Sequence, residues 1–71
     1  MVRAKMTCES NQPSGDGATI TLRPVVDGSE ENKQFYKWTP GGNVLLSTIN
    51  SDAAKQFIVG KSYYVDFTLA E

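Results

Sequence analysis

Hydrophobic and polar residues alternate along much of the chain, and a period of two is the signature of strands with one buried face. In the first segment Val2, Ala4, Met6 and Cys8 share one face, and Arg3, Lys5, Thr7 and Glu9 share the other. Residues 11–17, Asn-Gln-Pro-Ser-Gly-Asp-Gly, are turn formers that close this strand. A second segment places Ala18, Ile20 and Leu22 inward and Thr19, Thr21 and Arg23 outward. Pro24 lacks an N–H, so the strand is at an edge, bulged or near its end there, with Val25 and Val26 continuing it to a turn at Asp27-Gly28-Ser29. A third strand is expected over residues 32–39, with Phe35 and Lys37 on one face and Tyr36 and Trp38 on the other. The turn at residues 39–43, Thr-Pro-Gly-Gly-Asn, joins it in a hairpin to a fourth strand over 44–49. Asn50-Ser51-Asp52 supplies helix N-cap chemistry for a short turn carrying Ala53, Ala54 and Phe57 on one side, ended by Gly60. In the last strand Tyr63, Val65, Phe67 and Leu69 point inward and Tyr64, Asp66 and Thr68 outward.

Five short strands with a helical turn before the last predict an all-β fold. The expected architecture is a five-stranded SH3-like barrel, since so small a sheet buries most by curling on itself. An OB-like barrel is the competing plan, although its helix usually lies between strands three and four. With 71 residues there is room for one domain, residues 1–71, and for a modest core.

Composition narrows the chemistry. The chain has no histidine and one cysteine, which excludes an intramolecular disulfide, the usual zinc sites and imidazole-based catalysis. Glu30-Glu31, with Asp27 upstream, is the one acidic cluster; its spacing matches no cation loop, and a solvated turn is the simpler role. The glycines at 15, 17, 41 and 42 lead into strands rather than helix N-termini, so they read as hairpin turns and not phosphate cradles. Cys8 ends an inward series and reads as a small core residue. Serine–lysine pairs can be drawn from Ser47, Ser51 or Ser62 with Lys55 or Lys61, as in any chain of this length. The expectation is a protein that is not an enzyme and needs no cofactor or metal. The opening residues hold no apolar stretch of the signal-peptide kind, and no run is long enough to cross a bilayer, so a cytoplasmic product without a membrane partner is expected.

What remains is a binding surface. Tyr36, Trp38 and Tyr64 fall opposite the inward series, and Arg3, Lys5 and Arg23 alternate outward from neighbouring strands. Aromatic rings beside cations bind single-stranded nucleic acid in small barrels, and the same residue types dominate protein–protein contacts. A net charge of −1 weakens the nucleic-acid reading and leaves the protein reading intact. Trp38 has a third option, packing under a loop or closing one end of a barrel. A register slip of one residue in the third strand would exchange its two faces.

Residues 28–42, Gly-Ser-Glu-Glu-Asn-Lys-Gln-Phe-Tyr-Lys-Trp-Thr-Pro-Gly-Gly, resemble small uncharacterised proteins of tailed bacteriophages. Residues 53–68, Ala-Ala-Lys-Gln-Phe-Ile-Val-Gly-Lys-Ser-Tyr-Tyr-Val-Asp-Phe-Thr, are similar as well, as is the Arg3-Ala4-Lys5 opening. The related proteins tend to carry Pro in place of Val59 and Glu in place of Ser62. The resemblance implies a viral origin and a compact β domain, and it brings no established activity or catalytic residue. It orders the expectations: a minor virion structural or assembly component acting through protein contact comes first. An early inhibitor that binds a host defence protein or sequesters its nucleotide signal comes second, then a single-strand nucleic-acid binder, then a minimal enzyme. The host cytoplasm, or the virion, is the expected location, and a homo-oligomer fits every case because a small sheet has edges to protect.

Overall fold

A computed structural model describes residues 1–71 and contains four strands and two helices. β1 (Val2–Ser14) and β2 (Gly17–Pro24) form a long hairpin, followed by α1 (Glu30–Trp38), β3 (Val44–Thr48), α2 (Ser51–Ala54) and β4 (Ser62–Phe67). All pairings are antiparallel and the sheet order is β3-β2-β1-β4. β3 and β4 are therefore free edges. The sheet is open, not closed into the expected barrel, and at 37 × 34 × 17 Å the molecule is a slab.

The alternation of β1 and β2 holds from Ala4 onward, while Val2, expected on the same face, is exposed. Ala4, Met6 and Cys8 on β1 and Ala18, Ile20 and Leu22 on β2 are buried, with Ala54 of α2 completing the cluster. Val44, Phe57, Tyr63 and Val65 pack against it while half-buried. Phe67, paired with the likewise exposed Val2 at the end of the sheet, and Leu69, beyond the end of β4, are expected inside and are exposed.

β1 runs on through residues expected to be a turn. Its partner strand keeps pairing out to Ser14↔Gly17, so the hairpin turn is only Gly15 and Asp16. Gly15 has φ +61°, the conformation that a type II′ hairpin requires at its first central position. The register shifts between Cys8 and Ser10, leaving Glu9 as the extra residue of a β-bulge. The bulge moves Asn11 opposite Ile20, onto the core face. There the Asn11 amide donates to the carbonyls of Ala54 (2.9 Å) and Phe57 (2.7 Å), tying the segment after β3 across the sheet.

The third expected strand is a helix. Ser29 caps α1 by accepting from the Asn32 N–H at 3.0 Å; Glu30 and Glu31 occupy its first turn and Lys37 its last, all favourable to the helix dipole. Pro40 disfavours helical backbone at Thr39 and ends it. With this segment gone from the sheet, four strands remain, too few to close. α2 forms where its cap chemistry indicates: Asn50 accepts from the N–H groups of Asp52 and Ala53. Gly60 (φ +90°) turns the chain back so that its N–H and the Lys61 carbonyl pair with Cys8. No helix is long and apolar enough to cross a membrane.

Candidate functional site

The two sheet faces differ in chemistry. One carries the apolar core and α2. On the other, Arg3, Lys5 and Thr7 of β1 lie opposite Asp66, Tyr64 and Ser62 of β4. Cross-strand partners meet side by side, and here the pairs are chemically matched. Arg3 grips Asp66 with two hydrogen bonds, Nε–Oδ1 at 2.6 Å and Nη2–Oδ2 at 2.9 Å. Its guanidinium also lies 5.0 Å from the centre of the diagonal Tyr64 ring. Lys5 Nζ is 5.9 Å from the same ring and bonds Glu31 Oε2 at 2.5 Å.

Glu31 comes from α1 and is the hinge of the arrangement. It accepts from Lys5 and from the Tyr64 hydroxyl, the latter at 2.9 and 3.0 Å. One and two turns further along the same helical stripe are Phe35 and Trp38. Phe35 packs on Tyr64 with ring centres 6.0 Å apart and meets Trp38 edge-on at 5.8 Å. The stripe thus begins in an ion pair on the sheet and ends in a tryptophan that is 67% exposed. α1 itself buries no residue, so the Glu31 and Phe35 contacts with Lys5 and Tyr64 are what anchor it to the sheet.

The electrostatics follow from these contacts. The Lys5 ammonium, and secondarily the Tyr64 hydroxyl, hold the Glu31 carboxyl below its ordinary value. The Arg3 bonds do the same for Asp66, and Asp66 in turn raises the Arg3 guanidinium. Donating to Glu31 raises the Tyr64 phenol. Two cations face two carboxylates, so the cluster is neutral and its hydrogen bonds are internally satisfied.

Of the six candidates, Arg3, Lys5 and Tyr64 meet on one face of the sheet, where they form the clamp for α1. Arg23 is apart, paired with Glu9 of the bulge at 2.5 Å. Tyr36 and Trp38 do not share a strand face, because their segment is helical; Tyr36 is 41% exposed and lies outside the ring cluster. The partners Glu31, Phe35 and Asp66 were not among the candidates. For Asp66 the signal was available, since a carboxylate on an outward strand position needs a neighbour such as Arg3. For Glu31 and Phe35 it was the helical spacing 31–35–38, legible only once the segment is read as a helix.

On the opposite face, α2 leaves part of the core uncovered. A groove of about 390 Å³ is lined by Leu22, Val44, Leu46, Phe57, Tyr63 and Val65. A smaller concavity of about 230 Å³ lies between α2 and the hairpin end, beside Asn11, Gly17 and Lys55. The first is also lined by Asp66, paired with Arg3, and by Tyr64 beside Tyr63, whose hydroxyls donate to Glu31 and to the Gln56 carbonyl; the second has Lys55 as its one ionisable side chain. No three His, Cys, Asp or Glu side chains converge anywhere. Compared with known proteins, the chain matches no family model, no curated protein and no solved structure.

Proposed function

We propose that this chain is a non-enzymatic binding module that acts by protein–protein contact through the C-terminal end of α1, centred on Trp38. The observation that carries the reading is the exposure of Trp38, at 67%, on a helix pinned to the sheet. Tryptophan is usually well covered in a free domain, and an exposed one is among the side chains that most often dominate a protein contact. Tyr36, also exposed, lies two residues away on another side of the helix and is not part of this surface. Four of the seven cations are already in ion pairs: Arg3 with Asp66, Lys5 with Glu31, Arg23 with Glu9 and Lys33 with Glu30. Releasing Arg3 and Lys5 would break the clamp, which favours a protein partner over a nucleic acid on that face.

The setting we propose is a phage particle, with the chain as a minor structural or assembly component. It rests on the resemblance of residues 28–42 and 53–68 to small tailed-phage proteins. Mass spectrometry of purified particles tests it, and recovery at a fixed copy number per particle is the expected result. Absence from particles, with the chain bound to a host protein in infected cells, would replace the virion role by inhibition of a host factor.

A further inference from the structure

The β3 edge of the sheet is unguarded. Between Lys37 and Asp52 no residue is charged, and the strand itself reads Val-Leu-Leu-Ser-Thr. Edge strands are normally protected by charge, proline, a bulge or a covering element, because alternate N–H and C=O groups face outward unpaired. β3 has no proline, and its register with β2 is regular from Val44↔Leu22 to Thr48↔Ala18. Its flanks are apolar on both faces, with Leu45 67% and Leu46 43% exposed and Ile49 beyond them almost fully so. The other edge differs: β4 carries the Arg3–Asp66 ion pair and the Lys5–Tyr64 pair along its length.

We propose that β3 pairs antiparallel with β3 of a second copy of this chain, making a two-fold dimer with one continuous eight-stranded sheet. A second copy is the fitting occupant because the edge is self-complementary. Antiparallel pairing centred on Leu46 matches all five residues: Val44 lies opposite the second copy's Thr48, Leu45 opposite Ser47, and Leu46 opposite Leu46. No like charges meet, since the strand has none. Val44 and Leu46 also line the apolar groove, so the pairing runs the grooves of the two copies together across the axis. Five paired residues are a short seam compared with the roughly 800 Å² per partner of a standard interface, so the dimer is concentration-dependent. The inference is independent of the Trp38 reading, since Trp38 belongs to α1 and not to this edge.

Sedimentation equilibrium of the full chain tests it, and mass should rise with concentration towards twice the 7.8 kDa of one chain. Leu46→Lys places two like charges on the axis and should return the single-chain mass with the strand signal in circular dichroism retained. A gain-of-signal variant covers the case in which that protein fails to fold. Directly opposed residues stand about 4.5–5.5 Å apart between Cα atoms, within disulfide reach. Oxidised Leu46→Cys should therefore yield a reducible species of two-chain mass, while Cys8, buried in the core, stays silent. A single-chain mass for the unaltered protein up to about 1 mM overturns the proposal. So does a dimer that survives Leu46→Lys, or a folded Leu46→Cys protein that forms no cross-link.

Discussion

At the scale of single residues, the clamp beneath α1 makes the fold sensitive to pH. Glu31 and Asp66 have lowered pKa values in the folded chain. Their contribution to stability is complete above the ordinary carboxylate value of about 4 and is lost as pH falls through the lower folded values. Tyr64 and Arg3 have raised values, so their contribution is complete below the ordinary value and fades as pH climbs above it, from about 10 for the tyrosine. Denaturation midpoints should accordingly be flat across neutral pH and fall on both sides. Glu31→Gln and Asp66→Asn should each shallow the acid limb, and a limb unchanged in both would contradict the clamp. Two further residues owe their identity to close approach. A Cβ at Gly17 would fall on the Thr48 carbonyl, so Gly17→Ala should destabilise by about 2 kcal/mol or more through loss of β2–β3 pairing. Asn11→Ala leaves the carbonyls of Ala54 and Phe57 without their donor and should cost about 1–3 kcal/mol, read by urea unfolding.

At the scale of elements, what was legible depended on whether local pattern and tertiary role agreed. β1 and β2 bury one face each and β4 half-buries Tyr63 and Val65, and their alternation announces it. Asn50 marks α2 by capping chemistry alone. The segment over 30–38 misled because Phe35, Tyr36 and Trp38 are strand-favouring residues, while the Ser29 cap and the acidic first turn were the weaker but correct signals. Once that segment is helical the sheet lacks a fifth strand and cannot close. The hairpin end misled differently: Asn11, Gln12, Pro13 and Ser14 have turn composition, yet they pair with β2 because only Gly15 and Asp16 are needed to reverse the chain. No sequence pattern marks the bulge at Glu9 that carries Asn11 to the core face. Because α1 buries no residue, it is the element most easily released. Ser29→Ala should cost the helix about 1 kcal/mol, and hydrogen exchange should show α1 amides opening well before those of β1 and β2. Equal protection in α1 and the sheet would mean that the helix is part of the core.

At the scale of the whole molecule, a thin open sheet with a helix on each face buries little. Eight residues are buried, while thirteen large hydrophobic side chains remain exposed. A chain so disposed has surfaces to share, and they are chemically distinct: an uncharged edge at β3, an apolar groove beside α2, and a tryptophan on α1. The clamp pairs Arg3 and Lys5 with carboxylates, and through Lys5 and Glu31 it ties α1, which carries the tryptophan, to the sheet. Parallel captures with the unaltered chain and with Trp38→Ala, from cells of the phage infection proposed as its setting, test this account most directly. Trp38→Ala removes an exposed ring, so its thermal midpoint should stay within a few degrees of the unaltered chain, while a specific protein recovered at fixed stoichiometry with the latter should be lost. Retention of that protein by a folded Trp38→Ala chain, or recovery of nucleic acid alone in a salt-sensitive manner, would contradict a protein contact centred on α1.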